Sequence, residues 1–319
     1  MGLRNVALAG AGALTLAAPG AMAQQADPLP EDRAAERTAD RPAIGPHLFV
    51  STDSDDTTIV RAGIDLDLRH DGDARRLGIR VENAWYTLFD GDTRERQRVF
   101  LQAGDRSGDW TWAARIGTDG DSVIGVASVH DDARWRKEFF VERDIVETPI
   151  GVDEGIYSTF LGGALDIPLG EATTLTTLAG VQEFTGENVR LHARATLTQV
   201  IAADAGLSAQ LRTRYFHSTS PQEFDYYSPE HFAQVLPALQ LRRFIDGWRF
   251  RAIGGVGVQR DSFTDWNLAT YAQAGVTAPS DGDWYLDADV IYTNTPGGNA
   301  AVADGYSYFQ AMLSARRRF

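Results

Sequence analysis

Residues 248–259 read WRFRAIGGVGVQ, directly after the pair Asp246-Gly247. Trp248, Phe250, Ala252, Gly254, Val256 and Val258 fall on one face, and Arg249, Arg251 and Gln259 on the other. A strict period of two marks a β-strand, because successive side chains leave a strand on opposite sides. One face is wholly apolar and the other carries cations. Such a strand can cover a soluble core, or it can stand in a membrane with lipid on one side and water on the other. The rest of the chain has to decide between them.

The pattern recurs. In 57–70, Val60, Ala62, Ile64, Leu66 and Leu68 oppose Arg61, Asp65, Asp67 and Arg69. In 284–292, Trp284, Leu286, Ala288, Val290 and Tyr292 oppose Tyr285, Asp287 and Asp289. Segments of this kind lie near 45–52, 57–70, 75–88, 94–104, 110–117, 121–130, 133–146, 156–168, 172–184, 189–201, 206–217, 232–245, 248–260, 266–278, 283–294 and 306–319. About sixteen strands and no apolar run long enough for a membrane helix predict an all-β fold, a transmembrane up-and-down antiparallel barrel. A soluble sandwich also alternates.

Three features favour the membrane. The chain ends LSARRRF, with Phe309, Ala311, Leu313 and Ala315 in phase with the terminal Phe319. A terminal aromatic of this kind looks like the signal read by the barrel assembly machinery, although Arg317 stands where an apolar residue is usual. Trp110, Trp248, Trp266 and Trp284 each open a strand after a turn, the position of an aromatic girdle at a lipid–water boundary. Connections after even-numbered strands are short, as in 106–109, 170–172 and 246–247, whereas the long ones (147–155, 218–231 and 295–305) follow odd-numbered strands. That phase predicts periplasmic termini and extracellular long loops.

The N-terminus fits an exported protein. Arg4, the apolar run Val6–Ala18 and the Ala21-Met22-Ala23 box form a signal peptide over 1–23, cleaved after Ala23. Residues 24–43 are polar and Pro-containing and read as a flexible periplasmic tail, which leaves 44–319 as one barrel domain. With no Cys, disulfides, thiolate metal sites and lipid attachment at a Cys are excluded. A net charge of −14 argues against nucleic acid as a partner.

The period also names the inward side chains. The candidates along a solute path are Arg80, Glu82, Tyr86, Arg98, Arg194, Arg212, Arg214, Arg242, Arg249, Arg251, Tyr271, Tyr285, Asp287, Asp289, Tyr308 and Arg316. Facing lipid, charges of this kind would each cost about 2–4 kcal/mol at mid-depth, so they must face the interior. Planar arginine forks suit anionic or hydroxyl-rich solutes, and tyrosine faces can stack on sugar rings. Packing of the barrel interior is an equal alternative for each tyrosine. Chemistry-bearing motifs are weak: there is no G-x-S-x-G or H-E-x-x-H, and the six His have no metal-ligand spacing. No metal, cofactor or enzymatic activity is expected. A lipid hydrolase using Ser228 and His231 is a remote alternative.

One further stretch, FDYYSPEHF at 224–232, lacks any period. Its Tyr226-Tyr227-Ser228-Pro229-Glu230, followed by Val235-Leu236-Pro237 and Gly247-Trp248, resembles bacterial exopolysaccharide-export barrels, in particular the C-terminal barrel of the cellulose-synthase outer-membrane subunit. There a Y-F-S-P-Q element precedes a strand with L-x-V-P and a hairpin with Trp. VQEFTGENV at 181–189 is similar to that family's L-T-G-x-N-V turn, with Phe184 in place of Leu. The poly-N-acetylglucosamine export porin is a more distant likeness. The resemblance covers about 180–319 well and the rest loosely. It implies a sixteen-stranded outer-membrane pore for a cellulose-like or other β-linked glycan, with a polysaccharide chain as cargo and an inner-membrane synthase upstream. The tetratricopeptide array of that family has no counterpart in the sequence, so a separate periplasmic scaffold is the expected partner, or the barrel has been reused. The alternative is a general diffusion porin or a structural barrel. Tyr226, Tyr227, Ser228 and Pro229 are placed in a pore-mouth loop, anchoring it or touching emerging sugar.

Overall fold

The computed structural model describes residues 41–71, 75–279, 282–296 and 305–319. The signal peptide, its cleavage site and 24–40 of the expected tail lie outside the described residues. The described chain forms β1 (Ala43–Asp53), β2 (Thr58–His70), β3 (Arg76–Thr87), β4 (Thr93–Ser107), β5 (Trp110–Thr118), β6 (Val123–Asp131) and β7 (Lys137–Ile145). A short helix α1 (Pro149–Glu154) follows, then β8 (Tyr157–Pro168), β9 (Thr173–Phe184), β10 (Val189–Ala202), β11 (Leu207–Ser218) and β12 (His231–Ile245). The last four strands are β13 (Trp248–Asp261), β14 (Asn267–Thr277), β15 (Trp284–Thr293) and β16 (Tyr308–Arg318). Each strand pairs antiparallel with the next, and β16 pairs with β1, closing a barrel of sixteen strands. Closure leaves no open sheet edge, which a chain in lipid requires.

The period of two sets inside and outside. On β2–β4 the charged Asp65, Asp67, Arg80, Glu82 and Arg98 are buried, while Ile64, Leu66, Leu68, Ile79, Val81, Val99 and Leu101 stand exposed on the outer wall. The same inversion runs round the barrel, through Leu191, Leu239, Val256, Leu268 and Val290. An unbroken apolar band of this extent is not left in water by a soluble monomer, whereas a membrane barrel needs it. The soluble sandwich is thereby excluded: the architecture is that of a transmembrane barrel.

Hairpin chemistry supports the register. Asp246 and Gly247 form the two-residue link between β12 and β13, with φ of 49° and 80°. Two left-handed residues in succession suit the twist of a tight hairpin, and Asp-Gly tolerates them. Two local expectations change. β7 begins at Lys137, not 133, because Asp131 accepts from the Lys137 backbone and ammonium and holds 132–136 as a turn. A bulge between Asp67 and Arg69 shifts the phase at the end of β2, so His70 is buried and Arg69 leaves the inner face to bond Asp105.

The two rims differ. The near rim carries both described chain ends, where the Phe319 amide donates to the Pro42 carbonyl and Arg41 donates to Asp283. The connections 146–156 and 219–230 lie at the far rim, where β15 also ends at Thr293 and β16 begins at Tyr308.

Candidate functional site: the lumen and its far mouth

One side of the lumen is filled by ions. Asp65 on β2, fully buried, accepts from Arg80 on β3 at 2.7 and 2.9 Å, Gln102 on β4 at 2.7 Å and Arg316 on β16 at 2.7 Å. Arg76 approaches it at 3.1 Å. Arg316 reaches Asp65 across β1, so this carboxylate spans the seam where the barrel closes. A second knot joins Arg98 to Asp144 at 2.9 Å and to Glu82 at 3.4 Å. Arg61 pairs with Glu147 and lies 3.8 Å from Asp144. Glu147 stands in the connection after β7, so this pair ties that connection to the wall.

The other side differs. The inward positions of β9–β12 carry Arg190, Arg194, Arg212, Arg214 and Arg242 together with Thr, Gln and aromatic side chains, and no Asp or Glu. Arg190 donates to Ser218 Oγ at 3.1 Å and to the Tyr227 carbonyl at 2.8 Å. The Arg212 guanidinium lies 4.5 Å over the Tyr271 ring, and that of Arg214 lies 5.0 Å over Phe232. Cations resting on ring faces are held without being neutralised.

Two long connections meet at the far mouth. Thr148 caps α1, Pro149 occupies its first turn and Gly155 ends it in the left-handed conformation at φ 73°. The Thr148 hydroxyl donates to Asp225 at 2.6 Å, and the Ile150 amide donates to the other oxygen of Asp225 at 2.8 Å. Asp225 therefore latches 219–230 to α1. The next residue, Tyr226, stacks on Phe184 with ring centroids 4.5 Å apart, and Tyr227 donates to Asp261 and packs with Phe216, Phe232, Tyr306 and Tyr308. Burial pushes the Tyr226 phenol up to about 12, so it stays protonated and donates to Glu223. At the outer edge Arg94 pairs with Asp153 of α1 and with Asp90. The two connections thus fold inward as one packed unit, fastened to the wall at Arg61, Arg190 and Arg94.

All sixteen solute-path candidates stand on the inner face, but in different surroundings. Arg80, Glu82, Arg98 and Arg316 belong to the ion network. Arg249 donates to Thr277 at 2.9 Å, Arg251 pairs with Asp289 at 2.7 Å, and Asp287 accepts from Thr277 at 2.8 Å. Arg242 stands half-buried at the near rim. Tyr86, Tyr285 and Tyr308 are sealed, each at most 1 % exposed, and act as packing; Tyr271 alone of the four is half-open. In the pore-mouth loop Tyr226, Tyr227, Ser228 and Pro229 are all buried, so this stretch anchors the loop. Ser228 accepts from Asn188 at 2.8 Å and is 1 % exposed, a structural hydroxyl. Trp110, Trp248 and Trp284 stand outside at the near rim and Trp266 outside at the far rim. Phe319 is exposed beside them, with the Arg317 guanidinium 5.6 Å over its ring and 5.9 Å over Trp284, which accommodates the charge at that position.

Sequence reasoning missed α1, although the Thr-Pro start and Gly stop of 148–155 signal it. It also missed Asp225, Glu147, Arg76 and Asp144, whose importance depends on contacts between distant segments. Among the described residues no group of three His, Asp or Glu is placed to hold a metal ion.

The sequence matches no protein-family model and no curated protein. Its structure is similar to a bacterial polysaccharide outer membrane secretin, with a TM-score of 0.60 at 13 % identity over 86 % of this chain and 98 % of that one. The outer-membrane expressed OmpT of Vibrio cholerae aligns with a TM-score of 0.41 at 10 % identity, over 87 % of this chain and 97 % of that one. OccK5 of Pseudomonas aeruginosa gives 0.40 at 8 %, over 88 % and 98 %. At such identities the likeness defines the fold, and the fold is that of the polysaccharide secretin barrel.

Proposed function

We propose that the chain is an outer-membrane pore through which a polysaccharide leaves the cell, a passive conduit driven by synthesis upstream. The observation that carries this reading is the inner wall of β10–β14. There the guanidinium groups of Arg194, Arg212 and Arg214, the amides of Gln210, Gln240 and Gln273 and the hydroxyls of Thr196 and Thr198 face inward on the same stretch of wall as the half-open Tyr271 ring, which Arg212 covers and whose hydroxyl donates to Gln273. Such groups exchange hydrogen bonds with sugar hydroxyls much as water does, and a ring face accepts the C–H face of a sugar. The fold shared with a polysaccharide secretin supports the same reading. The apolar outer band and the outer-membrane barrel neighbours support an outer-membrane location, and in this reading the four tryptophans form girdles at the two boundaries and Phe319 is the mark read by the assembly machinery. We place the termini in the periplasm, where a scaffold protein and an inner-membrane synthase would feed the pore.

A general diffusion porin is the second reading. The inward-folded connections at the far mouth and the ion network on one wall favour it, because together they narrow the path. Deleting the gene in its own bacterium separates the two. Loss of released polysaccharide, with carbohydrate retained in the periplasm, is expected for export. Unchanged release with slowed uptake of small solutes would replace export by the porin.

A further inference from the structure

The ion network and the arginine arc are built on opposite rules, and the difference bears on cargo. Arg194 on β10 lies directly opposite Arg214 on β11, and Arg212, one inward position before Arg214 on β11, lies opposite Thr196. Like charges directly opposed across a strand pair are unfavourable. Among the described residues none of the three takes part in an ion pair, and no inward Asp or Glu stands on β9–β12. Glu142, facing inward from β7, attracts Arg194 without pairing with it. Their lateral partners are rings, Tyr271 under Arg212 and Phe216 and Phe232 beside Arg214. Arg194 Nε, Arg212 Nη1 and Arg214 Nε are buried and have no hydrogen-bond acceptor. On the other wall, by contrast, Arg61, Arg76, Arg80, Arg98 and Arg316 all meet carboxylates.

We propose that Arg194, Arg212 and Arg214 form an anion site on the solute path, and that the ligand is the carboxylate of an acidic glycan, a uronate-type sugar polymer. A guanidinium presents two parallel N–H donors that match the two oxygens of a carboxylate. Gln210 and Gln240, on the adjoining inward positions of β11 and β12, offer amides to the hydroxyls of the same sugar. Three adjacent cations let one carboxylate leave as the next arrives, as a moving chain requires. The inference rests on the pore reading for its biological meaning, although binding itself can be measured without it.

The test is calorimetric titration of the purified full-length barrel with hexagalacturonate, with cellohexaose, and with inorganic phosphate as competitor at fixed ionic strength. Hexagalacturonate should bind and weaken as salt is added, cellohexaose should bind at least tenfold more weakly, and phosphate at equal concentration should not displace the oligomer. Arg212→Gln should weaken binding severalfold and the triple change R194Q/R212Q/R214Q more than tenfold. The corresponding triple Lys variant, equally charged but without forks, should be intermediate. The single variant keeps the test decisive if the triple one fails to fold, which heat-modifiable migration detects. Equal binding of both oligomers, no binding of either, or affinity unchanged in the folded Gln variants overturns the site. Displacement by phosphate reduces it to a small-anion site and overturns the glycan assignment. Retained binding in a barrel that carries no current in planar bilayers would instead overturn the pore reading.

Discussion

Asp65 illustrates why a single inward charge cannot be valued from the sequence. The period of two places it inside, beside many others, and says nothing of what surrounds it. In the barrel it gathers Arg76, Arg80, Gln102 and Arg316 from three different strands and straddles the seam between first and last strand. Removing one partner of a fully buried ionic group leaves the remaining charges unpaired, at a cost of about 3–5 kcal/mol. Asp65→Asn keeps the shape and removes the charge: Arg80 loses its carboxylate, and Arg76 and Arg316 keep only Asp67, at 3.0 and 3.5 Å. We expect a fall of that order in unfolding free energy, read from denaturant titration followed by heat-modifiable migration. Arg80→Gln should cost less, because Asp65 keeps two arginines. Equal losses in the two variants would mean that the network has no centre at Asp65. The same contrast explains the tyrosines: Tyr86, Tyr285, Tyr308 and Tyr271 share one sequence pattern, and only three-dimensional neighbours separate three packed rings from one half-open one.

At the scale of elements, the far mouth is governed by the union of α1 with 219–230. Asp225 supplies two charge-assisted bonds to the N-terminal turn of α1, each worth about 1.5–3 kcal/mol. Asp225→Ala should therefore speed amide exchange in 146–156 and 219–230 by at least tenfold, with the melting of the strands unchanged. If the strands melt earlier as well, the latch is part of the barrel's stability and not a local fastening. Acid dependence follows from groups outside the strands. Hydrogen bonds from Arg94 hold Asp90 and Asp153 below the usual carboxylate range, so their contribution is complete at neutral pH and is lost only as the pH falls through those depressed values. Glu147 has the opposite sign: burial raises its pKa, so docking of the connection is favoured as the pH falls toward that raised value. Both signs predict that α1 stays docked from pH 7 down to about 4, the ordinary carboxylate range. Exchange at 149–154 that rises between those pH values would show that other groups control the docking.

Over the whole molecule, sequence was most informative where physics is local and repeated. Alternation and turn residues marked sixteen strands within a few residues of their observed ends, because the side-chain period of two and Asp-Gly turns act over neighbouring residues only. The phase of long and short connections was legible for the same reason, since antiparallel order alone sends 146–156 and 219–230 to the rim where β15 ends and β16 begins. The bulge at Asp67–Arg69, the latch at Asp225 and the split of the lumen into a neutralised wall and a cationic wall were not legible, because each depends on which strands become neighbours after closure. The orientation proposed from the same connection phase, with periplasmic termini, can be tested directly. The chain has no native Cys, so any introduced thiol is unique. Asp265 at the far rim and Asp204 at the near rim are exposed, and among the described residues neither side chain takes part in a hydrogen bond or ion pair. With periplasmic termini, Asp265→Cys should react with a membrane-impermeant maleimide on intact cells, and Asp204→Cys only after the outer membrane is permeabilised. The reverse pattern would turn the barrel over and put the packed far mouth, with its Asp225 latch, on the side from which cargo arrives.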